Sequence, residues 1–235
     1  MDAGGQHQGI SVPERAALLR RHPLFKELDP KVSDRLAAHA KTKSVPRGTT
    51  IFVKGDAGTC LFAVVSGTVQ VTAASSEGKS AVFNQIGAGE IVGEIALLDG
   101  QPRTADAMAF TDCRLMIIER RDFLPLLHDF PDVAIKLLEL LCSRLRRTSE
   151  QVEDLMFLDL KGRLTKALLR LCKESKDGKG ITISQSDLSQ MIGMSREMIN
   201  KQLQVWARDG VIEVERRRIV VLRPDALARG AALDG

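Results

Sequence analysis

The sequence lacks the cysteine clusters and the long apolar runs that mark several classes of protein. Its four cysteines, Cys60, Cys113, Cys142 and Cys172, lie far apart, form no C-x-x-C pair and have no histidine at metal-ligand spacing. This pattern disfavours a metal or iron–sulfur centre and favours a reducing, intracellular compartment. The sequence also has no run of about eighteen apolar residues and no apolar N-terminal signal segment, so we expect a cytoplasmic protein without a membrane partner.

Charge is distributed unevenly along the 235 residues, which are enough for one large or two small domains. Residues 1–156 carry 19 Lys and Arg against 20 Asp and Glu, whereas residues 157–235 carry 15 against 10. A basic C-terminal third attached to a neutral body favours a polyanion partner, most simply nucleic acid. A merely basic, soluble domain explains the same charge equally well.

The spacing of apolar residues predicts helices first and strands next. Two helices are expected at 13–19 and 30–40. Short segments rich in β-branched residues then alternate with glycine-containing turns, at 49–53, 60–65, 68–72, 81–86, 105–109 and 113–118. Strands at intervals of roughly ten residues are typical of a sandwich or barrel, and the glycines at the corners suit a jelly-roll-like closure.

From about Phe130 to Met156 the pattern becomes that of one long helix. Its apolar positions step by three and four residues and form a heptad seam, at Leu138, Leu141, Leu145, Thr148, Val152 and Leu155. Such a seam packs on its own domain or pairs with its copy in a dimer. Thr148 is the one polar seam residue, which either fixes the register or marks where something polar meets the helix. A hinge is expected at 157–159, and a continuous helix is the alternative.

The C-terminal segment predicts a winged helix-turn-helix. After a helix at 162–171 and a strand at 181–183, Ser184 caps a helix to about Ile192, and Ser195 caps a second helix to about Arg208. Alternating apolar residues at 211–214 and 219–222 predict a β-hairpin wing. The tip of this wing is basic and is expected to lie against phosphate.

The second of these helices has the residues of a DNA-reading helix. Arg196 and Glu197 would occupy its first turn, the part of a recognition helix that enters the major groove, with Lys201 on the same face. Arg and Lys can bind guanine, and Glu can accept from cytosine. The opposite face, with Met198, Ile199, Leu203 and Trp206, is expected to join the core. An ordinary surface helix is the alternative.

A second charged motif lies in the stretch G-E-I-A-L-L-D-G-Q-P-R-T-A, where Glu94 and Arg103 flank a tight turn. The small residues Gly93, Ala96 and Ala105 let a ligand approach the backbone. A phosphodiester needs a bidentate donor, backbone N–H groups and an acceptor for a neighbouring hydroxyl, and this stretch can supply all three. The alternative is an exposed ion pair beside a hairpin. No nucleophile, metal cluster or histidine accompanies the pair, so binding is expected and an enzyme is not.

Three motifs, in order and at matching spacing, carry a resemblance that spans about Leu24 to Leu222. They are G-E-I-A-L-L with P-R-T-A (93–98 and 102–105), L-R-R-T-S-E-Q-V with F-L-D (145–152 and 157–159), and I-G-M-S-R-E-M-I-N-K (192–201). The sequence resembles the cyclic AMP receptor protein/FNR-type family of bacterial transcription regulators. In that family these motifs form the phosphate-binding cassette, the dimer helix with its hinge, and the recognition helix.

The resemblance implies an α+β fold in three parts. A jelly-roll-like β-sandwich or barrel with flanking helices is expected over residues 1–128, a long dimerisation helix over 129–156, and a winged helix-turn-helix domain over 157–235. It further implies a homodimeric regulator that binds a cyclic nucleotide, with cAMP favoured and cGMP open, and no metal. The expected partners are double-stranded DNA, a second copy of the chain and RNA polymerase.

The resemblance also assigns roles to residues. Glu94 would accept from the ribose 2′-hydroxyl and Arg103 would hold the cyclic phosphate, while Ser149 would reach the ligand of the partner subunit. The nucleotide-binding residues are expected to be Gly93, Glu94, Ile95, Arg103, Thr104, Arg144, Thr148 and Ser149. The DNA-binding residues are expected to be Ser184, Ser195, Arg196, Glu197, Asn200, Lys201, Arg216, Arg217 and Arg218.

Two features leave alternatives open. Thr104 follows Arg103 directly, as in many cGMP-binding relatives, and Lys201 stands where the best-known members have Arg, which leaves the second guanine of a TGTGA-like half-site unassigned. A regulator with constitutive DNA binding or another effector is one rival hypothesis. A regulatory subunit that binds the nucleotide to control an enzyme is another, and the helix-turn-helix argues against it.

Overall fold

The computed structural model describes residues 10–74, 80–175, 180–215 and 218–232. The chain divides into two compact units, residues 1–78 with 83–144 and residues 79–82 with 145–235. Among the described residues, no helix is both long enough and apolar enough to cross a membrane.

The first unit begins with two short helices, α1 (Val12–Arg21) and α2 (Pro30–His39). Both start where the sequence supplies an N-cap: Ser11 forms a capping box with Glu14, and the Asp29 carboxylate accepts from the backbone of Lys31 at 2.8 Å. The helices share a core with strands of one sheet, through buried residues such as Leu19, Leu61 and Met116. Helices were predicted at both places, and both are confirmed.

In the described part of the first unit, eight strands make two four-stranded sheets, ordered β1-β8-β3-β6 and β2-β7-β4-β5. The strands are β1 (Lys41–Val45), β2 (Thr50–Phe52), β3 (Cys60–Ser66), β4 (Val69–Ala74), β5 (Ser80–Ile86), β6 (Ile91–Val92), β7 (Asp106–Ala109) and β8 (Cys113–Glu119). Strand pairing is antiparallel between β1 and β8, β3 and β8, β3 and β6, β2 and β7, and β4 and β7. A core that includes Phe62, Val64 and Leu115 lies among these strands. The predicted jelly-roll-like sandwich is therefore confirmed, in the form of two sheets.

Three elements of this unit do not follow from the apolar periodicity. They are β6, the six-residue helix α3 (Glu94–Asp99) and helix α4 (Arg120–Asp129). β6 and α3 are each too short to show a period. A tight turn was predicted at 99–102, where the structure instead ends α3 at Asp99, with Gly100 as its C-cap at a φ of +72°.

Helix α5 runs from Pro131 to Phe157 and so contains the predicted seam. The helix is not continuous through 157–159, where a hinge was predicted, because α6 (Leu160–Glu174) starts after an N-cap at Asp159, whose carboxylate accepts from Gly162 N at 2.7 Å. Of the seam residues, Leu141 is half-buried within the chain. The others are exposed, at Leu138, Leu145, Thr148, Val152 and Leu155.

The second unit continues with β9 (Gly180–Thr182), α7 (Gln185–Ile192), α8 (Arg196–Arg208), β10 (Ile212–Glu215), β11 (Arg218–Val221) and α9 (Pro224–Ala232). The three strands form one antiparallel sheet in the order β10-β11-β9. Its core joins α6, α7, α8 and α9 through buried residues such as Leu168, Leu188, Trp206 and Leu227. The winged helix-turn-helix prediction is confirmed, whereas α9 was not predicted.

Candidate functional site

Arg103 lies almost entirely inside the first unit, with 4% of its surface exposed. Its Nη1 donates to the carbonyl oxygen of Gly93 at 2.7 Å, and its Nη2 donates to the carbonyl oxygen of Cys60 at 2.6 Å. The guanidinium carbon lies 4.4 Å from the centre of the Phe52 ring, a cation–π distance. Backbone from β3, the backbone of Gly93 just before α3 and the rings of Phe52 and Phe62 therefore hold the guanidinium in place.

The charge of Arg103 is not neutralised within the part of the chain that the structure describes. Its described hydrogen-bond partners, the carbonyl groups of Gly93 and Cys60, are neutral, and its Nε is buried without a hydrogen-bond partner. The neighbouring Cys60 thiol does not supply an anion, because burial raises its pKa more strongly than Arg103 lowers it. A guanidinium stays protonated in proteins, and a buried charge without a counter-ion is costly. The site therefore has a positive charge and a spare donor for an anion.

Two glycines make room for this arrangement. Gly93 has a φ of +86°, and a Cβ at this position would lie 2.4 Å from Arg103 Nη1. Gly58 faces α3 so closely that a Cβ would lie 2.3 Å from that of Ala96. The loop before β3 and the start of α3 can approach each other only because these side chains are absent or small.

Glu94 is the first residue of α3 and is 2% exposed. Its Oε1 accepts from Arg144 Nη1 at 2.5 Å, and Arg144 Nη2 donates to the carbonyl oxygen of Ile91 at 2.6 Å. A carboxylate has about four acceptor positions, so Glu94 can accept a ligand hydroxyl while it keeps Arg144. Glu94 and Arg103 were predicted as a pair around a ligand; the structure adds Arg144 as the ion-pair partner of Glu94.

The other predicted nucleotide residues are exposed. Ile95 is 43% exposed on α3, and Thr104 is exposed directly after Arg103. Thr148 and Ser149 are exposed on the portion of α5 that belongs to the second unit. Their contact with a nucleotide stays a prediction.

The far end of α3 is held by Arg120, which the sequence did not identify. Its Nε donates to the carbonyl oxygen of Leu97 at 2.6 Å, and its backbone N–H donates to Thr59 at 2.9 Å. A cation at a helix C-terminus bonds the free carbonyl groups and suits the helix dipole. Arg120, Cys60 and Phe52 carry no motif, so no signal in one sequence could have found them.

The chemistry of this site suits binding. It offers a guanidinium, a carboxylate and the N–H groups at the start of α3, which have no partner within the helix. Across residues 10–74, 80–175, 180–215 and 218–232, no three or more His, Cys, Asp or Glu side chains form a group that could hold a metal ion. The residues fit an anion that carries a neighbouring hydroxyl.

In the second unit, two capped helices meet at a glycine turn. Ser184 Oγ accepts from Asp187 N at 3.0 Å at the start of α7, and Ser195 Oγ accepts from Met198 N at 3.2 Å at the start of α8. Gly193, with a φ of +70°, ends α7 between them. Both predicted N-caps are confirmed, and they fix the direction of α8.

Helix α8 buries Ile199, Leu203 and Trp206 and turns a polar face outward. The exposed residues include four of the predicted DNA-binding side chains, Arg196, Glu197, Asn200 and Lys201. The amide of Gln185 on α7 donates to Asn200 Oδ1 at 3.3 Å.

Met198 was expected in the core, and this prediction was wrong. The residue is 43% exposed. Successive residues of a helix are about 100° apart, so burial of Ile199 leaves Met198 at the border of the outward face.

The wing is formed by β10 and β11, in which Glu215 lies opposite Arg218. Arg218 is exposed and belongs to β11, so it lies in a strand and not at the tip where it was predicted. Arg216 and Arg217 lie outside the described residues.

Comparison with known proteins places both sites in one family. The profile of the cyclic nucleotide-binding domain matches residues 42–130, and that of the Crp-like helix-turn-helix domain matches residues 162–229. The CRP-like cAMP-activated global transcriptional regulator of Mycobacterium tuberculosis is 30% identical over 220 residues, which cover 91% of this chain and 98% of that protein. The chain belongs to the CRP-like family of transcription regulators. The cyclic AMP receptor protein of Thermus thermophilus is 33% identical over 83% of this chain and 90% of that protein.

Solved structures agree with this membership. The c-di-GMP responsive global regulator CLP of Xanthomonas campestris superposes with a TM-score of 0.74 at 26% identity, over 82% of this chain and 99% of that one. The catabolite activator protein of Thermus thermophilus superposes with a TM-score of 0.51 at 31% identity, over 89% and 99% of the two chains. As a CRP-like regulator, the chain has a cyclic nucleotide-binding domain that contains Arg103 and Glu94 and a DNA-binding domain that contains α8.

Proposed function

We propose that this CRP-like chain is a homodimeric transcription regulator that is switched by a cyclic nucleotide, with cAMP as the favoured effector. The observation that carries the proposal is the buried, unneutralised guanidinium of Arg103, whose Nε has no partner among the described atoms. A cyclic phosphate supplies the missing negative charge together with acceptor oxygens for the remaining donors.

The nucleotide would be held by its phosphate and its ribose. Arg103, the first N–H groups of α3 and the Thr104 hydroxyl would bind the phosphate. Glu94, already fixed by Arg144, would accept from the 2′-hydroxyl. A guanidinium and a carboxylate on either side of α3's first turn match a phosphate and a hydroxyl on neighbouring ribose carbons. Thr148 and Ser149 of α5 would approach the base, as the family resemblance implies.

Dimer formation is supported by the exposed apolar side of α5. Leu138, Leu145, Val152 and Leu155 are each between 49% and 67% exposed within one chain. They recur at heptad spacing, which is the pattern of a helix that pairs with its copy. A row of large apolar side chains left in water favours association.

DNA binding by the dimer would place one α8 in each of two successive major grooves. In such dimers the two half-sites lie about 34 Å apart, so the site has two-fold symmetry. Arg196, Glu197, Asn200 and Lys201 are the exposed residues available to read bases. Arg216, Arg217 and Arg218 would contact phosphate, and RNA polymerase is the expected partner of the bound dimer.

Helix α5 can couple the two events, because it carries both Arg144 and the seam. Arg144 of α5 pairs with the Glu94 carboxylate, which would also accept from the nucleotide. The affinity of the site for the nucleotide would therefore depend on the position of α5. A ligand shifts a conformational equilibrium only by its difference in affinity for the two states. To raise the population of the active state from one to 99 per cent, the nucleotide must bind that state more tightly than the inactive state by about 5.5 kcal/mol.

Relatives of this chain are named for different nucleotides. The M. tuberculosis and T. thermophilus proteins are named for cAMP, whereas the X. campestris regulator is described as responsive to c-di-GMP. The site holds one buried guanidinium and one buried carboxylate, which match one phosphate and one 2′-hydroxyl. This favours a cyclic mononucleotide.

Isothermal titration with cAMP, cGMP and c-di-GMP tests the proposal. Wild-type protein is expected to bind cAMP most tightly, and Arg103→Leu is expected to lose at least about 100-fold in affinity because charge-assisted bonds to phosphate are removed. Arg114→Leu, which removes an exposed arginine from β8, is the matched control and should bind normally. No binding of any of the three ligands, or equal affinity in the Arg103 variant, would contradict the proposal.

A further inference from the structure

Met198 stands out on the DNA-binding face of α8 because its side chain is large, apolar and 43% exposed. The first turn that contains it is fixed, since Ser195 Oγ accepts from the Met198 backbone N–H at 3.2 Å. Four polar residues within three positions of it are exposed, at Arg196, Glu197, Asn200 and Lys201, whereas Ile199 is buried. Met198 therefore lies among the side chains that are available to reach bases.

The exposure of Met198 does not belong to a larger apolar patch. Within the described part of the second unit, beyond α5, only one other large apolar side chain is exposed, Leu222, just after β11. A protein-docking surface would need a contiguous apolar area of several hundred square ångströms. A single exposed methionine in a polar surface is instead suited to contact one small apolar group on a binding partner.

The major groove contains one such group. Thymine is the base that presents a methyl group there, at C5, and apolar side chains contact it. Methionine is long, unbranched and polarisable, so it can follow an irregular surface. The first turn of a recognition helix is the part that meets base edges.

We propose that Met198 contacts a thymine C5-methyl group and so selects thymine at one position in each half-site. The inference rests on the use of α8 as the recognition helix. The contact is apolar, so it adds specificity without a hydrogen bond. Because it involves no charge, its contribution to affinity is insensitive to salt.

Replacement of thymine by deoxyuridine tests this directly, because it removes the methyl group and keeps the base pair. Binding sites are first selected from random DNA with the full-length protein at millimolar cAMP. Each thymine of the selected half-site is then replaced in turn by deoxyuridine in both half-sites, and affinity is measured by fluorescence anisotropy. Wild-type protein is expected to lose about fourfold per half-site at one position, the effect of one buried methyl group.

Met198→Ala is expected to bind the thymine and deoxyuridine duplexes equally at that position. Gln204→Ala, at an exposed position six residues further along α8, is the control and should discriminate as the wild type does. Both variants should keep the wild-type melting temperature, since the two side chains are exposed.

Two results would overturn the inference while leaving DNA binding intact: equal affinity of the wild type for thymine and deoxyuridine at every position, or unchanged discrimination in Met198→Ala. Failure of the wild type to select any sequence would contradict the use of α8 and the inference together.

Discussion

The two functional sites place their charges in opposite ways. At the nucleotide site, Glu94 and Arg103 are 2% and 4% exposed and are held by contacts from β3, β6 and α5. On α8, Arg196, Glu197 and Lys201 are exposed and are positioned by the helix alone. Buried charges are costly unless they are paired, whereas exposed ones contribute little to stability. Substitutions at the first site should therefore alter both folding and binding, and those at the second should alter binding only.

The helices that carry the two sites are nevertheless held in a similar way at their far ends. Arg120 donates to the carbonyl oxygen of Leu97 near the end of α3, and Arg223 Nε donates to the carbonyl oxygen of Gly210 at 3.0 Å just beyond α8. In each case an arginine from later in the chain fixes the end of a helix whose first turn is proposed to face the ligand.

The largest effect is expected at the buried ion pair. Arg144→Met removes the partner of Glu94 and leaves a carboxylate in the interior, which should lower the free energy of unfolding by about 3 kcal/mol. Chemical denaturation measures this loss. The double variant Glu94→Gln, Arg144→Met should recover most of the stability but not nucleotide binding; a double variant as unstable as the single one would contradict the comparison.

Gly93→Ala separates backbone strain from the clash with Arg103. An alanine at a positive φ costs about 1–2 kcal/mol wherever it occurs, but at this position its Cβ also displaces the guanidinium. We expect about 100-fold weaker nucleotide binding, since two charge-assisted bonds lose their geometry. Gly48→Ala is the matched control, because Gly48 has a φ of +82° with open space around it. Equal nucleotide affinity in the two variants would show that the close approach at Gly93 does not matter.

Arg196→Ala tests the exposed side of the comparison. It should weaken DNA binding by about 1–3 kcal/mol and relax specificity at one base pair, while stability stays within about 0.5 kcal/mol of the wild type. Arg208→Ala removes the same charge from the other end of α8 and should weaken binding to all sequences alike. A melting temperature that falls with Arg196→Ala would mean that this face also supports the fold.

The smallest effect concerns pH. His22 is buried, and burial lowers its pKa below the usual 6.5, although its contact with the Glu90 carbonyl oxygen at 3.3 Å opposes the shift. The native histidine therefore stays neutral as pH falls below about 6.5, while the unfolded one takes up a proton, so stability declines by at most about 1.4 kcal/mol per pH unit. The lowered carboxylate pKa values, as at Glu119, act only below about pH 4.5.

Denaturation of wild type and His22→Gln between about pH 7 and pH 5 measures this contribution. The variant is expected to have a flatter profile. An unchanged slope would assign the acid sensitivity to other groups.

The sequence predicted α8 better than it predicted the nucleotide site, for physical reasons. Ser195, Gly193 and the apolar row of Ile199, Leu203 and Trp206 act within the helix and its ends, so they can be recognised in the chain. The same periodicity cannot assign a border position, which is why Met198 was placed wrongly in the core.

The nucleotide site depends instead on contacts distant in sequence. Arg103 donates to the backbone of Cys60, 43 residues earlier, and Glu94 pairs with Arg144, 50 residues later. Backbone carbonyl groups leave no mark on the sequence, and α3 is too short to show a period. The motif identified Glu94 and Arg103, but only the fold shows that Arg103 lacks a counter-ion among the described residues.

The central claim is that nucleotide and DNA binding are coupled, and coupling free energies are reciprocal. The most direct measurement is the Kd for cAMP of the wild-type dimer, by titration calorimetry, with and without a saturating selected DNA duplex. We predict that DNA tightens cAMP binding by about 5- to 150-fold, the usual range of allosteric coupling. The same Kd in both titrations would contradict the account, because a nucleotide whose affinity does not change with DNA cannot control DNA binding.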